Sequence, residues 1–258
     1  MKLKISATII TLNEEKNIER CLKSLDFVDE IIVVDSGSND KTVEIARKYT
    51  DKVFYRKFEG YGNQKNYAQS LAKHDIIFSI DADEEVSEEL RSYLISNYHL
   101  IFERKYQAFA IPRRTFYLGK FIKNSGWYPD YKTRLYRKDQ CSWDEKAVHE
   151  QLIVDGTILK VPLNKDLYHY PYKSMYDHIN KLNKYTELSI IDKKDLKIVK
   201  IFLYILFKPL FKFLKMFVLK KGFLEGYRGF IIAIIGSFYE FLKYAKLIER
   251  RLHDRIFH

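Results

Sequence analysis

Apolar and polar positions in the first part of the chain follow two alternating patterns. Short apolar runs of strand length alternate with longer stretches in which apolar residues recur at helical spacing. The strand-like runs lie at residues 5–12, 30–35, 52–55 and 76–80, and the helix-like stretches at residues 14–25, 40–49 and 61–72. Strands that alternate with helices in this way predict an α/β fold with a Rossmann-like, mostly parallel sheet flanked by helices.

The pattern changes after residue 106. Short β-like pieces lie at residues 108–114, 132–136 and 158–161, and helical patterns follow at residues 174–194, 198–219 and 223–252. We therefore expect one domain over residues 1–165 and a helical extension over residues 166–258. The chain opens on a strand-like segment without a small-residue cleavage site, so we expect no secretion signal.

Polar residues mark the expected starts of three helices. Asn13, Ser38 and Ser87 each precede a helix-like stretch. The side chain of such a residue can accept a hydrogen bond from a backbone N–H in the first turn of the helix. We expect all three to act as helix N-caps.

Three of the predicted strands end in acidic loops. Glu14 follows the first strand, Asp35 ends the second, and Asp81 and Asp83 follow the fourth. In a parallel sheet, ligands bind beyond the carboxyl ends of the strands. We expect these carboxylates to converge at that edge.

Asp81-Ala82-Asp83 places two carboxylates on alternate positions at a strand end. Both can address a divalent cation, and hard oxygen ligands favour Mg²⁺ or Mn²⁺ completed by waters and substrate phosphates. The alternative is an acidic turn that only caps a helix, because Asp-x-Asp arises by chance in many chains.

Four segments in a fixed order carry a family resemblance. They are TLNEE at residues 11–15, VVDSGSND at 33–40, GNQKN at 62–66 and DAD at 81–83. With them, residues 1–155 resemble the family 2 glycosyltransferases of GT-A fold, and among these the subgroup of lipopolysaccharide-core β-1,4-glucosyltransferases. The resemblance implies a metal-dependent enzyme that uses a nucleotide-sugar donor.

The resemblance also implies roles for the matching residues. Glu14 and Asp35 would hold the uracil and ribose of a UDP-sugar, and Lys65 would lie near the nucleotide or diphosphate. Asp83 would carry most of the metal contact, and Asp81 would lie nearer the ribose or donor sugar. The full set expected to bind the nucleotide sugar is Thr11, Asn13, Glu14, Asp35, Ser36, Lys65, Asp81, Ala82, Asp83 and Arg134. For Lys65, a solvated helix position is the alternative.

Inverting transfer needs a base that takes the proton from the acceptor hydroxyl. The family commonly offers an Asp, and the relatives carry a Val-His-Glu segment near the acceptor side. We assign the base to Glu150, with His149 beside it as a diphosphate or acceptor contact. Asp130 and Asp144 stay open as alternatives. Ile153 stands where a zinc-protease signature would need a second His.

Four further side chains have two interpretations each. Arg134 and Arg137 are three positions apart, so on a regular strand only one can reach the site. We favour Arg134 as a contact to a diphosphate or an anionic acceptor, with a solvated strand face as the alternative. Trp127 and Trp143 could stack on a sugar ring, but a core position is expected for at least one of them.

The net charge of +11 is concentrated in the C-terminal part. Residues 1–163 hold 26 Lys and Arg against 25 Asp and Glu, whereas residues 164–258 hold 19 against 9. The basic segment is also rich in long apolar stretches, which favours anionic lipid over nucleic acid as its partner. Cys21 and Cys141 are expected to be reduced, buried thiols, as in a cytosolic protein.

The C-terminal third combines this charge with helical character. Lys208, Lys212 and Lys215 interrupt an apolar stretch at residues 201–219 and would form a stripe on one side of a helix. A helix that lies in the membrane interface with this stripe towards the headgroups avoids burying the charges. Pro209 is expected to kink or divide the helix. The alternative is that the helices pack in a homo-oligomer.

Together these observations predict an inverting transferase that moves a hexose, with glucose as first choice, from a UDP-sugar to a lipid-linked glycan such as lipopolysaccharide core. It would be cytoplasmic and peripheral on the inner face of the bacterial cytoplasmic membrane. The alternative is a catalytically inactive lipid-binding adaptor on the same scaffold. A nicotinamide-dependent enzyme is not expected, because no Gly-x-Gly-x-x-Gly follows the first strand.

Overall fold

A computed structural model of the protein describes residues 3–144, 150–190 and 196–257. The chain forms two compact units, which do not follow one another simply along the sequence. The first consists of Met1–Arg114 and Pro129–Tyr170, and the second of Thr115–Tyr128 and Pro171–His258. The division of function at residue 165 stays a prediction.

The first unit begins with four parallel strands in the order β3-β2-β1-β4. These strands are β1 (Leu3–Thr11), β2 (Val28–Asp35), β3 (Val53–Tyr55) and β4 (Ile76–Asp81), and the helices between them are α1 (Ile18–Lys23), α2 (Thr42–Ala46) and α3 (Tyr61–Ser70). The central strands are apolar because both faces of the sheet are covered. All four strands that the sequence predicts here are present.

The same sheet continues from β4 in the order β8-β6-β12-β5, with antiparallel neighbours on either side of β8. The elements are β5 (Glu84–Val86), α4 (Glu88–Phe102), β6 (Ala108–Tyr117), β7 (Lys120–Phe121), β8 (Asp130–Arg137), β9 (Cys141–Trp143), β10 (Leu152–Val154), β11 (Ile158–Lys160) and β12 (Leu167–His169). Strand β11 pairs with β6, β7 forms a hairpin with the end of β6 in the second unit, and β9 and β10 form a separate pair.

The observed starts of the helices confirm one of the three predicted N-caps and contradict the other two. Ser87 caps α4 as expected, because its Oγ accepts from the backbone N–H of Leu90 at 3.2 Å. The predictions for Asn13 and Ser38 are wrong, since α1 begins at Ile18 and α2 at Thr42. Both residues lie in the loops that precede these helices, and there they bond to each other's loop instead.

The core of the first unit lies on both faces of the sheet. Its largest fully buried side chains are Ile5, Ile9, Ile18, Leu22, Leu25, Ile32, Ile77, Phe78, Ile80, Leu90, Phe109 and Tyr136. Cys21 and Cys141 are buried free thiols, which confirms the prediction for both. This packing gives the acidic loops at the strand ends a rigid support.

The second unit is mainly helical. It contains α5 (Met175–Leu188), α6 (Ile198–Leu214) and α7 (Tyr227–Phe257), joined after α6 by a π-helical turn at Lys215–Leu219 and a 3₁₀ turn at Gly222–Glu225. The prediction that Pro209 kinks or divides the helix is wrong as to division, because α6 runs through it. Among the described residues, no helix is long and apolar enough to cross a membrane.

The predicted α/β fold with a C-terminal helical extension is confirmed by these elements.

Candidate active site

The carboxyl ends of three parallel strands meet at one edge of the sheet. In the strand register, Thr11 of β1 lies opposite Asp35 of β2, and Ile10 lies opposite Asp81 of β4. The loops that follow these strands therefore begin side by side, as the sequence pattern predicts.

The first two loops are bonded to each other. The backbone N–H of Asn13 donates to Ser38 Oγ at 2.8 Å, and the backbone N–H of Asn39 donates to Asn13 Oδ1 at 3.0 Å. The backbone N–H of Glu14 donates to Thr42 Oγ1 at 2.8 Å. Asn13 has a φ of 57°, a left-handed conformation that Asn tolerates. This local geometry explains why Asn13 binds the neighbouring loop and does not cap α1.

Asp35 holds the second loop in shape. One of its carboxylate oxygens accepts from the backbone N–H groups of Gly37 and Ser38, both at 2.8 Å, and the other accepts from Ser38 Oγ at 2.5 Å. Ser36 Oγ accepts from the side-chain amide of Gln64 at 3.0 Å. The carboxylate is buried and pre-oriented, and it retains acceptor capacity for one more donor.

Asp81 is neutralised by two cations of the protein. Its carboxylate pairs with Lys65 Nζ at 3.3 Å and with the guanidinium of Arg134. Burial by itself would raise the pKa of Asp81, but the charges of Arg134 and Lys65 outweigh it and hold the pKa well below its usual range. Asp81 is therefore ionised, and its charge is balanced within the protein.

Asp83 lies next to a histidine that the sequence pattern did not indicate. His169 Nε2 is 3.5 Å from Asp83 Oδ2. The two meet because β12 runs antiparallel to β5, which places His169 opposite Glu84. Burial by itself would raise the pKa of Asp83, but the hydrogen bond to His169 and the charges of His169 and Arg113 together lower it below its usual value. The two residues are 86 positions apart in the sequence, so no local pattern indicates this pairing.

Asp83 and His169 are a suitable pair of ligands for a divalent cation. Within residues 3–144, 150–190 and 196–257, no three His, Cys, Asp or Glu side chains are grouped so that they could hold a metal. A small divalent cation usually takes one or two protein ligands and fills its shell with waters and substrate phosphates. One carboxylate and one imidazole fit that type of site. Asp81 is less suitable as a ligand, because its carboxylate already pairs with the side chains of Lys65 and Arg134.

Lys65 is buried and lies between two carboxylates. Its Nζ is 3.3 Å from Asp81 Oδ1, 3.0 Å from Glu150 Oε1 and 4.4 Å from the ring centroid of Trp143. The ammonium group therefore joins the DAD segment to the predicted base, and a solvated helix position is excluded. Trp143 is buried, and its Nε1 donates to Tyr136 Oη at 2.9 Å, so it is a core residue.

Arg134 belongs to a chain of buried charges. It also bonds Glu84, at 2.5 Å, and Glu84 in turn pairs with Arg113 at 3.0 Å. Arg113 continues the chain to Asp130 at 2.7 Å, and Lys132 reaches the same carboxylate at 3.1 Å. Because Arg134 is 3% exposed, a solvated strand face is excluded for it. A direct contact with diphosphate or acceptor stays a prediction.

The three candidate bases have different surroundings. Glu150 is bonded to Lys65, and Asp144 Oδ1 accepts from the backbone N–H of Gln151 at 2.8 Å. Burial raises the pKa of Asp130, but the charges of Arg113 and Lys132 lower it further than burial raises it.

His149 lies outside the described residues.

Comparisons with known proteins give the family. The profile of glycosyl transferase family 2 matches residues 6–142. An uncharacterised glycosyltransferase of Rickettsia typhi is 34% identical, over 98% of this chain and 89% of its own. The lipopolysaccharide core biosynthesis glycosyltransferase LpsC of Rhizobium meliloti is 30% identical, over 96% of this chain and 93% of its own.

Among solved structures, TarS of Staphylococcus aureus is similar with a TM-score of 0.49 and 21% identity, over 86% of this chain and 45% of that chain. The profile match and the two relatives agree with the ordered segments at the sheet edge. This chain belongs to glycosyl transferase family 2.

Proposed function

We propose that the protein transfers a hexose, with glucose as first choice, from a UDP-sugar to a sugar of a lipid-linked glycan such as lipopolysaccharide core, with inversion at the anomeric carbon. One observation carries the proposal: the pair Asp83–His169 lies at the same sheet edge as Lys65, which is held between Asp81 and Glu150. This set combines ligands for a cation, a charge for a diphosphate and a carboxylate for proton transfer. The similarity to LpsC supports the choice of acceptor.

The uridine part of the donor would occupy the first two loops. Glu14 and Asp35 accept from the uracil N–H and the ribose hydroxyls, and Asn13, Ser36 and Ala82 line the same edge. Thr11 Oγ1 supports this placement, because it is buried and has no hydrogen-bond partner in the described structure. A buried hydroxyl of this kind is usually satisfied by water or a ligand.

The diphosphate part would lie at the DAD segment. Mg²⁺ or Mn²⁺ would be held by Asp83 and His169, and when bound it stabilises the negative charge that develops on the leaving UDP. Asp81 positions Lys65, whose ammonium group is available to the diphosphate at the cost of its present ion pairs. The set differs from the sequence prediction in giving the second ligand position to His169 and not to Asp81.

The displacement is a single step. The acceptor oxygen forms a bond to the anomeric carbon while the bond from that carbon to the diphosphate oxygen breaks, and UDP leaves with the electron pair. The acceptor proton passes to a carboxylate, which we assign to Glu150, with His149 beside it in the sequence. Asp130 and Asp144 are the alternatives that the test below separates from it.

A lipid-linked acceptor places the reaction at a membrane, and we propose the inner face of the bacterial cytoplasmic membrane. Contact between C-terminal helices of two copies stays a competing prediction. The inactive adaptor is not supported, because the described residues retain the carboxylates of all three acidic loops.

Donor and metal binding can be tested by thermal unfolding with UDP-glucose and other nucleotide sugars, with and without Mn²⁺. A ligand that binds only the folded state raises the melting temperature. We expect a rise with a UDP-sugar that is larger with Mn²⁺, and loss of the Mn²⁺-dependent part in Asp83→Asn and His169→Ala. The matched control is Asp29→Asn, since Asp29 forms another carboxylate–histidine pair, with His74 at 2.7 Å. Equal shifts in Asp83→Asn and wild type would show that the metal assignment is wrong.

The base can be identified by comparing Glu150→Gln, Asp130→Asn and Asp144→Asn. General-base catalysis contributes about 10²–10⁴-fold, so we expect Glu150→Gln to lower kcat by roughly that factor with intact donor binding. We expect smaller losses in the other two variants. If Asp130→Asn or Asp144→Asn loses the larger factor, the base is that residue.

A further inference from the structure

One side of α6 exposes large apolar side chains to solvent. They are Phe202, Leu203, Leu206, Phe207, Leu210 and Phe211, and each is between 50% and 67% exposed. We call these six residues the α6 face. Successive members are one or three positions apart, which places all six within one half of the helix circumference. Folded proteins rarely leave so many adjacent large apolar side chains in water unless they bind something.

The opposite side of α6 is packed, so the exposure does not result from a loosely attached helix. Ile201 is fully buried, and Tyr204 and Ile205 pack with Tyr244 and Leu247 of α7 in one apolar cluster. Helix α6 therefore carries apolar residues on both its packed side and its exposed side.

The lysine stripe that the sequence predicts does not face outward as a unit. Lys208 Nζ donates to Tyr244 Oη at 2.6 Å and lies 4.0 Å from the ring centroid of Tyr204. Lys208 is therefore engaged on the packed side of α6 and is not part of the α6 face.

Exposed lysines flank the α6 face at both ends. Lys197 immediately precedes α6, and Lys200 lies in its first turn. Lys220 and Lys221 follow the π-helical turn. The acidic residues between positions 196 and 252 are Glu225, Glu240 and Glu249.

The first two of these acids are already paired with cations. Glu225 bonds Lys120 at 2.9 Å, and Glu240 bonds Lys243 at 2.6 Å. The surroundings of the α6 face are therefore strongly positive.

We propose that the α6 face docks on an anionic lipid bilayer, with α6 parallel to the surface. Phe202, Leu206 and Leu210 enter the boundary between headgroups and acyl chains, and the lysines at both ends contact lipid phosphates. The binding comes mainly from apolar insertion, and the charges add selectivity for anionic lipid.

The charge pattern favours a membrane over a second copy of the chain. Both ends of the α6 face carry lysines, so two copies paired through this face bring lysines against lysines in either a parallel or an antiparallel arrangement. Like charges brought together in this way repel each other. A bilayer with anionic headgroups matches the same pattern with opposite charge.

The inference deepens the proposed function, which it uses for the lipid-linked acceptor. The two can still fail separately, because vesicle binding is measured without donor and acceptor, and donor turnover is measured without vesicles.

The test is flotation of the full chain with vesicles of phosphatidylcholine alone or mixed with phosphatidylglycerol. Because burial of apolar side chains supplies most of the binding, we expect Leu206→Ser with Leu210→Ser to lower vesicle partitioning at least about tenfold. Lys220→Gln with Lys221→Gln should lower binding to mixed vesicles several-fold and change binding to pure phosphatidylcholine little.

Two controls define the face. We expect both Leu163→Ser and Lys208→Gln to bind vesicles like wild type. Leu163 is 48% exposed but lies in the first unit, and Lys208 lies on the packed side of α6. Circular dichroism checks that each variant is folded.

Three results would overturn the docking proposal. One is unchanged vesicle binding in the double serine variant, and another is an equal loss in Leu163→Ser. The third is a wild type that is dimeric by light scattering, does not float, and becomes monomeric with the serine substitutions, which would assign the face to a second copy.

Discussion

The two units of this chain treat charged and apolar side chains in opposite ways. In the first unit, charged groups are buried and are neutralised by other buried charges. In the second, the α6 face leaves large apolar groups exposed, and Lys208 and the imidazole of His178 rest against aromatic rings. The first arrangement fixes the position of charges at a reaction site, and the second presents a surface that binds by burial. The difference indicates which substitutions should affect chemistry and which should affect attachment.

The charge chain in the first unit alternates in sign from end to end. Burial by itself would lower the pKa of Arg134, but the charges of Asp81 and Glu84 outweigh it and raise the pKa. Lys65, Arg134 and Arg113 each lie between two carboxylates of the chain. In order, the members are Glu150, Lys65, Asp81, Arg134, Glu84, Arg113, Asp130 and Lys132.

The largest effect is expected at the centre of this chain. Glu84 is fully buried, bonds Arg113 and Arg134, and accepts from the backbone N–H of Asp81 at 3.0 Å. Removing one partner of a buried ion pair costs about 3–5 kcal/mol. We expect Glu84→Gln to lower the free energy of unfolding of the first unit towards that range, and each arginine keeps a second carboxylate that limits the loss.

The measurement can be confined to the first unit. The chain has two tryptophans, Trp143 in the first unit and Trp127 in the second. In a Trp127→Phe background, the fluorescence of Trp143 during urea unfolding reports the first unit alone. The control is Glu88→Gln, because Glu88 is 86% exposed and should change stability by about 0.5 kcal/mol or less. Equal effects of the two substitutions would show that the charge chain does not stabilise the unit.

The sequence predicted the parts of this site that depend on position along a strand. Asp35 and Asp81 end buried strands, so the periodicity alone places them at one edge. His169 and Arg113 could not be found in this way, because each reaches the site through pairing of strands that are distant in the sequence. The prediction of Asn13 as an N-cap is wrong because the pattern of polar and apolar residues does not reveal its left-handed φ.

The second unit shows another limit of sequence periodicity. The spacing of Lys208, Lys212 and Lys215 places them near one side of a helix, but periodicity does not state which side is packed. The aromatic rings of Tyr204 and Tyr244 decide this for Lys208, and they come from two helices. The exposed apolar side was therefore visible only in the structure.

A second prediction tests the aromatic interior of the second unit. The ring of His178 is stacked on Tyr172 at 4.0 Å between centroids, and its Nδ1 is 2.9 Å from Tyr117 Oη. Burial lowers the pKa of His178 to about 4, while the charge of Asp177 acts to raise the pKa and the charge of Lys181 acts to lower it. Between about pH 6.5 and pH 4 the unfolded chain therefore binds a proton that the folded unit does not.

The stability that neutral His178 contributes is fully present above about pH 6.5 and decreases as the pH falls towards about 4. We expect wild type to lose about 1–3 kcal/mol more than His178→Phe over this range. Unfolding is followed through Trp127 in a Trp143→Phe background. His99→Gln is the control, because His99 is exposed and should leave the pH dependence as in wild type. Identical pH dependence in wild type and His178→Phe would contradict the prediction.

The smallest expected effect concerns a cation that rests on rings instead of carboxylates. Tyr244 is 2% exposed and accepts the hydrogen bond from Lys208 through its hydroxyl. In Tyr244→Phe the ring keeps its packing and its contact with the ammonium group, and only the hydrogen bond is lost, which is typically worth about 1 kcal/mol. We expect a loss of that size in the second unit, read through Trp127.

Tyr227→Phe provides the comparison, since Tyr227 is 60% exposed and should change stability by less than about 0.5 kcal/mol. A loss in Tyr244→Phe as large as that in Glu84→Gln would remove the contrast between the units, because it would mean that Lys208 needs an oxygen partner as strongly as the arginines of the first unit do. A loss near 1 kcal/mol would instead show that the rings and the nearby solvent provide most of the stabilisation of the Lys208 ammonium group. That is expected for a half-buried lysine beside aromatic faces.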